Sequence, residues 1–332
     1  MSRAQLTSTV EQNTGGAVSP YVAGKNAVIN GGMDIWQRST SSSTLGAYTT
    51  ADRWYVGAYS GTGTFAQEST TVPSGSRYSL KFTASATSQP YAYQVIETAN
   101  AQQFAGQTVT LSSKLAASTS TVIAVGLEYS TSTDAAVGGS WTGITPSAGG
   151  TATPISTTFI SGTATFAVPS TAKSLRVGFY TVSTIASAVV LYIGQVQLET
   201  GSVATPFSRA GGTLSGELAA CQRYYWRTTP GNTYGHYGLG MAGSTTAAYV
   251  ELKLPITMRV IPTSIDVPST ITRLRLTNVA ATNWTISAIS LADSTQDNLA
   301  LTLTASSMTA NQALILGNNN DTTGFIGASA EL

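Results

Sequence analysis

Short runs of alternating apolar and polar residues recur along most of this chain and constrain its fold more than any other feature. Leu80 and Phe82 form one run, and Ile123, Val125 and Leu127 form another, with one residue between successive apolar positions. A period of two places the apolar side chains on one face of a strand and leaves the other face in water. Because turn-rich spacers separate the runs, the sequence predicts antiparallel sheets and an all-β protein.

The chain carries very little charge. Only 9% of its 332 residues are charged, with 16 Lys and Arg against 15 Asp and Glu. Ordinary soluble domains carry about 25% charged residues, and a nucleic-acid-binding protein needs a basic excess to neutralise phosphates. We therefore expect a surface of hydroxyl, amide and glycine residues, and no nucleic-acid partner.

Cysteine and histidine are almost absent. Cys221 is the single cysteine and His236 the single histidine, which excludes an intrachain disulfide and any zinc site built from several such ligands. A Ser-His-Asp triad would have to use His236, and a structural histidine is the simpler interpretation. We predict no catalytic residue, no metal site and no cofactor.

The first residues of the chain are predicted to form an N-terminal arm. Residues 1–25 are polar, contain Gly15, Gly16 and Pro20, and show no sustained apolar period. Such a segment orders only against a partner, because it buries too little apolar area to offset its chain entropy. The chain start lacks the apolar core of a signal peptide, and no stretch reaches the roughly 18 apolar residues of a membrane span, so we expect no membrane insertion.

Residues 26–209 carry the first set of strand-like runs. Their alternation and turn-rich spacers predict a jelly-roll β-sandwich. The last run loses its phase after Ile193, where Gly194 and Gln195 precede the next apolar residue. A glycine inside a strand pattern often marks a β-bulge, and we predict a bend there.

A helical pattern separates this set from a second one. Residues 210–227 are predicted as a helical linker whose helix runs from Leu214 to about Tyr225, with Ser215 as its candidate N-cap and Glu217 in its first turn. Residues 228–332 then repeat the strand pattern and predict a second β-sandwich-like domain. The residues at helical spacing are Leu214, Leu218, Cys221 and Tyr225.

Separated motifs carry a resemblance to a known group of proteins. Residues 26–38 read NAVINGGMDIWQR, and residues 48–54 read YTTADRW. Farther on, residues 196–207 read VQLETGSVATPF, and residues 216–225 read GELAACQRYY. These segments, with a weaker match at PITMR (255–259), resemble bacteriophage tail, baseplate and fibre proteins whose front part is a jelly roll like that of carbohydrate-binding modules.

The resemblance implies a function. Such proteins are virion components, usually homotrimers, that often meet host-surface glycans. We therefore expect a tail-fibre, tail-tip or baseplate subunit, assembled in the host cytoplasm, that displays many glycan sites at once. Residues 1–25 would attach it to other virion proteins. Two alternatives remain open: a purely structural capsid or tail decoration or head-fibre protein, and a polysaccharide depolymerase. Since no acid pair or β-helical repeat is signalled, we predict no enzymatic activity.

Aromatic residues are the candidate sugar contacts, because sugar rings stack on aromatic faces. Tyr91 and Tyr93 are two residues apart after Pro90 and share one strand face, and Trp141 lies in the glycine-rich segment 138–143. We take Tyr91, Tyr93 and Trp141 as candidate carbohydrate-binding residues. The same pattern is also compatible with packing inside the sandwich.

Two further aromatic groups have structural interpretations. Trp36 and Trp54 belong to the opening motif, and we predict that they pack over the sandwich rim near Asp34, Arg38, Asp52 and Arg53. The densest aromatic cluster follows the predicted helix and fits either a ligand patch or a seam between subunits or domains, of which we favour the seam. Its members are Tyr224, Tyr225, Trp226, Tyr234, His236 and Tyr237.

Overall fold

The computed structural model describes residues 24–154 and 156–332, so residues 1–23 of the predicted arm lie outside the described residues. Strands hold 42% of the residues and helices 6%, which confirms the all-β prediction. The chain divides into two compact units, the first ending at Leu218 and the second covering Ala219–Glu331. Within the described ranges, no helix is long and apolar enough to cross a membrane.

The first unit is built from strands and one short helix, α1 (Thr98–Ala101), which continues into a 3-10 turn at Gln102–Phe104. Period-2 alternation places the strands as predicted. They are β1 (Ser41–Ser42), β2 (Tyr55–Ala58), β3 (Gly63–Glu68), β4 (Ser79–Ala84), β5 (Pro90–Ile96), β6 (Thr108–Ala117), β7 (Ile123–Ser130), β8 (Thr142–Gly143), β9 (Ala148–Gly149), β10 (Thr151–Ala152), β11 (Ile160–Ala167), β12 (Ser174–Thr181) and β13 (Val190–Thr200).

These strands form two antiparallel sheets. The seven-stranded sheet has the order β1-β3-β4-β13-β6-β11-β9, and the other has the order β10-β7-β12-β5-β2 with β8 paired to β7. From β5 onward the long strands alternate between the sheets, as in a jelly roll. Phe82 and Leu111 from the first sheet and Val125 and Phe179 from the second share one buried core. Each such side chain contributes about 1.5–3 kcal/mol by leaving water.

The predicted bulge is present in β13. Its pairing with β6 shifts register between Gly194 and Gln197, and Gln195 adopts a left-handed φ of 49°. The shift frees the backbone of Val196 from the ladder. The Val196 N–H instead donates to the Gly31 carbonyl at 2.9 Å, so the bulge contacts the opening motif.

A set of buried polar side chains, here called the polar hub, joins the segments that carry the resemblance. Asn26 Nδ2 donates to the carbonyls of Val196 (2.9 Å) and Ser208 (3.0 Å), while its Oδ1 accepts from two backbone N–H groups. Asn30 Nδ2 donates to the carbonyl of Ile35 at 2.9 Å. The hub residues are all 4% exposed or less, and they are Asn26, Asn30, Gln94, Gln197, Glu199 and Glu217.

Glu217 ties the start of the second helix to the hub. Its carboxylate accepts from the N–H of Asn30 and from the N–H of Gly211, the latter at 2.7 Å. Burial raises the pKa of Glu217, and the two backbone hydrogen bonds oppose that rise. Residues far apart in sequence thus meet through buried hydrogen bonds, most of them to backbone groups, while Gln197 Nε2 donates to Glu199 Oε1 at 2.7 Å.

The linking helix, α2 (Leu214–Gln222), is shorter than predicted. Tyr225 does not lie on it and instead begins a strand paired with Ser329, because sheet pairing outweighs the helical spacing of that position. The N-cap is also different from the prediction. Thr213 Oγ1 accepts from the Gly216 N–H at 3.1 Å, which places the cap at Thr213 and Ser215 within the first turn.

The second unit repeats the two-layer principle. Its strands are β14 (Tyr225–Thr228), β15 (His236–Ala242), β16 (Ala247–Lys253), β17 (Ser264–Asp266), β18 (Leu274–Thr277), β19 (Asn283–Thr285), β20 (Ala288–Leu291), β21 (Asn298–Thr304), β22 (Ala313–Asn318) and β23 (Ile326–Ser329), with a 3-10 turn at Ile271–Arg273. One sheet has the order β14-β23-β17 and the other β19-β18-β22-β15-β16-β21-β20. Alternating residues such as Val250, Leu276 and Leu301 fill the shared core, as the sequence predicted.

The opening tryptophans occupy different environments. Trp54 is fully buried in the core of the first unit, and its Nε1 donates to the Asn30 carbonyl at 3.1 Å, so the predicted position on the rim is wrong for this residue. Trp36 is half-buried at the core margin. Asp34 forms an ion pair with Arg209 at 2.7 Å, a partner from beyond the opening motif.

Candidate binding face

The outer face of the six-stranded sheet concentrates tyrosine side chains. Along β5, Ala92 and Gln94 are buried on the core side, so Tyr91 and Tyr93 share the opposite side. The neighbouring strands add more rings in register with them. The residues of this tyrosine face are Tyr55, Tyr59, Tyr91, Tyr93 and Tyr180.

Two glycines interrupt the tyrosines and open a trough. Strand pairing aligns Tyr55, Tyr93, Gly178 and Gly126 in one row across the sheet. The ring of Tyr93 covers Gly178, because a Cβ at that glycine would lie 2.5 Å from Tyr93 Cε1. Gly126 is more open, and a Cβ there would lie 3.5 Å from Tyr180 Cε1. The floor of the trough is therefore open backbone at Gly126, beside the rings of Tyr93 and Tyr180.

The tyrosine rings support one another. The centroids of Tyr91 and Tyr93 lie 4.8 Å apart, as do those of Tyr59 and Tyr91. The hydroxyls of Tyr59 and Tyr93 are hydrogen-bonded to each other. Burial raises the pKa of Tyr91, Tyr93 and Tyr180, so these phenols stay uncharged at neutral pH. Tyr91, Tyr93 and Tyr180 therefore offer rings and neutral hydroxyls to a ligand.

The trough is a cleft of about 140 Å³ at the β7 side of the sheet. Its charged group is Glu128, the single ionisable carboxylate among the described residues that line it. Binding clefts commonly combine apolar walls with a few polar groups that fix orientation. The lining residues that matter for recognition are Tyr93, Gly126, Glu128, Gly178 and Tyr180, and the strand-connecting segment adds Gly143, Ile144, Pro146 and Gly150.

Arg176 links the trough to Trp141. Its Nε lies 2.5 Å from Glu128 Oε2, and its Nη1 donates to the Val137 carbonyl at 2.6 Å. The guanidinium carbon lies 4.3 Å from the Tyr93 ring centroid and 5.0 Å from that of Trp141. Both rings lie within the range of cation–π attraction, and they cover the arginine.

The structure brings the three predicted sugar contacts together, in different roles. Tyr93 lines the trough, and Tyr91 lies beside it on the face. Trp141 does not line the trough: it is half-buried, donates from Nε1 to the Ala136 carbonyl at 3.0 Å, and covers Arg176. A sugar-binding role for the three residues stays a prediction.

Several residues of the face were missed in the sequence. Alternation within β12 and β7 places Arg176, Gly178, Tyr180, Gly126 and Glu128 on their outer sides, so that signal was present. What the sequence lacked was the pairing of these strands with β5. Without that pairing, the residues could not be assigned to a common site.

The second aromatic cluster does not form a single surface. Tyr224, Tyr225 and Trp226 are buried, with Trp226 in the core of the second unit, so their side chains offer little area to another subunit. The remaining three are separated in their contacts. Tyr234 stacks on Arg275, Tyr237 donates to Asn318 Oδ1 at 2.5 Å, and His236 is exposed. A subunit or domain contact by these residues stays a prediction.

Comparisons with known proteins give only distant similarities. Neither the known protein families nor the curated proteins contain a match to this chain. Among solved structures, the chain is similar to TmCBM61 in complex with beta-1,4-galactotriose (9% identity, 53% of this chain, 99% of that chain, TM-score 0.36). It is also similar to the CBM22-1 xylan-binding domain from Paenibacillus barcinonensis Xyn10C (12% identity, 55% of this chain, 98% of that chain, TM-score 0.33).

One similar structure comes from a phage. The enzymatically active domain of tailspike protein 4 from bacteriophage CBA120 shares 15% identity over 55% of this chain and 22% of that chain, with a TM-score of 0.36. All of these identities and TM-scores are low. The role of the tyrosine face therefore depends on the geometry of its own side chains.

Proposed function

We propose that this protein binds host-surface glycans through the tyrosine face and its trough, as a subunit of a bacteriophage particle. The observation that carries the proposal is the trough in which the open backbone of Gly126 lies between the Tyr93 and Tyr180 rings, with Glu128 as a neighbour. The C–H face of a pyranose packs on an aromatic ring, and sugar hydroxyls bond to carboxylates and phenols. A trough without side chains admits the ring between them.

Glycan binding is tested by an array of bacterial surface polysaccharides followed by titration of the best binder. Tyr180→Ala removes one wall of the trough, and we expect affinity to fall about tenfold or more. The matched control is Tyr78→Ala, which changes a half-buried tyrosine of the same unit away from the face. Equal losses in both variants, or no binder on the array, would contradict the proposal.

The proposal is for binding without cleavage. Glycoside hydrolysis commonly needs two carboxyl groups about 5–10 Å apart, and Glu128 is the single carboxylate among the described residues lining the trough. Its carboxylate is also held in an ion pair with Arg176. The test is to incubate the protein with its best-bound polysaccharide and measure new reducing ends. Their release would favour the depolymerase alternative.

Display in several copies is part of the proposal, and an exposed face of the second unit supports it. Leu239 (72% exposed) and Met241 (49%) point the same way on β15, and Met241 pairs with Tyr249 (53%) on β16. The exposed Glu251 pairs with Leu239 beside these apolar side chains, and a second copy of the chain would present the same apolar side chains to them. Several linked sites raise apparent affinity about 10²- to 10⁴-fold.

Self-association is tested by light scattering on the purified protein. We expect an oligomer that Leu239→Ser shifts toward single chains. Val279→Ser is the control, since Val279 is 95% exposed but lies in the turn after β18. A single-chain mass for the unchanged protein would contradict the proposed oligomer. An equal shift toward single chains in both variants would show that the β15 face is not the contact between copies.

Attachment to the particle is proposed for the N-terminal segment, on the basis of its composition and the resemblance of the motifs. Deleting residues 1–23 should leave a folded, glycan-binding protein that no longer joins virions. Normal incorporation of the truncated chain, measured by electron microscopy of particles, would contradict that role. Normal incorporation of the full-length chain into virions, together with no binding on the glycan array, would favour the purely structural alternative.

A further inference from the structure

We infer that the trough selects neutral or amino-bearing glycans and rejects carboxylated ones. The inference rests on the proposed function of the tyrosine face and specifies its ligand. It follows from the unequal placement of the two charges beside the trough, Glu128 and Arg176. Of the described residues lining the trough, only Glu128 carries a charge, and Arg176 does not belong to the lining.

The carboxylate is the accessible partner of the pair. The Glu128 side chain is 26% exposed and the Arg176 side chain 13%. The ion pair joins Arg176 Nε to Glu128 Oε2, and an ionised carboxylate accepts about four hydrogen bonds over its two oxygens. Glu128 therefore retains acceptor capacity toward the trough, where sugar hydroxyl or ammonium groups are the matching donors.

The arginine is held away from a ligand in three ways. One of its nitrogens is bonded to Glu128, another to the Val137 carbonyl, and its guanidinium carbon lies over the rings of Tyr93 and Trp141. A sugar carboxylate that approached Arg176 would compete with Glu128 and with the Val137 carbonyl for its N–H groups. In the trough itself it would meet Glu128, a group of like charge, at short range and partly shielded from water.

The tyrosines of the trough add no charge to that of Glu128. Burial raises the pKa of Tyr93 and of Tyr180, so neither wall adds a negative charge at neutral pH, and neither supplies a positive one. Phenol hydroxyls can donate to and accept from the hydroxyls of neutral sugars. The discrimination against acidic sugars therefore comes from Glu128, while the rings supply affinity for sugars in general.

The test uses the polysaccharide that binds best on the array and the same polysaccharide with its primary hydroxyls oxidised to carboxylates. We expect oxidation to weaken binding about tenfold, and added salt to narrow the difference because it screens like-charge repulsion. Glu128→Gln should recover at least part of the affinity for the oxidised form. The control is Glu68→Gln, which alters a comparable ion pair, with Lys81 at 2.7 Å, on the opposite sheet.

The outcomes separate the inference from the proposed function. Equal or tighter binding of the oxidised form, or an array whose best binders are acidic, overturns the inference. The proposed function still stands in that case if Tyr180→Ala lowers affinity about tenfold or more. If no glycan binds, the proposed function itself fails. If circular dichroism shows that Glu128→Gln folds poorly, the salt dependence of binding to the unchanged protein tests the inference instead. Weaker binding of the oxidised polysaccharide at higher salt would contradict repulsion between its carboxylates and Glu128.

Discussion

The polar hub and the tyrosine face lie in the same unit and use polar side chains in opposite ways. Hub side chains such as Asn26 are buried and spend their hydrogen bonds on backbone groups. The tyrosine rings of the face pack against one another and leave Gly126 and Glu128 accessible to a ligand in the trough. The hub therefore specifies how the chain folds, and the face determines what the folded chain can touch.

The difference extends to how each region can tolerate change. Removing a hub side chain leaves buried backbone groups without partners, which costs about 1–3 kcal/mol for each group. Except at the buried Tyr93, changing a tyrosine of the face alters a surface already in contact with water. Evolution can thus vary the ligand of such a protein while keeping its hub, and mutations should separate the two regions cleanly.

The largest effect is expected for Asn30→Ala in the hub. The substitution removes the partners of the Ile35 N–H, the Ile35 carbonyl and the Asp52 carbonyl, and it places alanine at a left-handed φ of 56°. We expect the free energy of unfolding of the first unit to fall by about 4 kcal/mol or more, as measured in urea. Glycan affinity of the molecules that remain folded should be unchanged.

The control for this substitution is Asn100→Ala. Asn100 is exposed and donates only to Glu97 among the bonds described, so its loss should cost about 0.5 kcal/mol or less. A similar loss of stability in both variants would mean that the hub is no more important than an ordinary surface amide.

Gly126→Val reverses the pattern, with a large effect on binding and a small one on stability. A Cβ at Gly126 meets Tyr180 Cε1 at 3.5 Å, an ordinary contact, and valine suits a strand. The side chain would fill the trough, and we expect glycan affinity to fall about tenfold or more by calorimetry. Gly138→Ala, where nothing lies within 4 Å, is the control. Unchanged affinity in Gly126→Val would place binding elsewhere.

Local periodicity predicted much of the fold because it needs no knowledge of partners. Period-2 runs located many of the long strands, such as β6, β7 and β12, and Tyr91 and Tyr93 fell on one outer face as expected. The trough could not be predicted, because it exists only where β12 and β7 pair beside β5. Tyr225 was misassigned since a four-residue spacing also fits a helix.

Long-range contacts explain the remaining differences between sequence and structure. The quoted motifs contain most of the hub, yet their meaning as one hydrogen-bonded group appears only when Glu217 meets Asn30. Trp141 was identified by its loop position, but its contact with Arg176 depends on how that loop folds over the sheet edge. The sequence therefore predicted the elements and some site residues, but not their mutual geometry.

Alkaline pH offers a way to probe the face without changing the hub. Burial, and then the hydrogen bond with Tyr59, raises the pKa of Tyr93 above the ordinary value of 10.0. The unfolded chain therefore ionises first, so the stabilisation is complete below pH 10.0 and is lost as the pH rises further. The expected slope is at most about 1.4 kcal/mol per pH unit for this tyrosine.

The measurement is the free energy of unfolding as a function of pH, compared with Tyr93→Phe. The phenylalanine variant loses the hydroxyl bond to Tyr59 but keeps the ring over Gly178, so its curve should start lower and decline less steeply above pH 10.0. Parallel curves in that range would show that Tyr93 does not titrate differently in the folded and unfolded chains.

The smallest effect is expected for Trp141→Ala, and it tests whether the face and its supporting residues are distinct. Trp141 covers Arg176 and does not line the trough, so its loss should cost only about 0.5–1 kcal/mol of stability. Affinity for neutral glycans should change by less than about threefold. Because the arginine becomes more accessible, carboxylated glycans should bind better than they do to the unchanged protein. A loss of neutral-glycan binding as large as that of Gly126→Val would instead make Trp141 a direct sugar contact.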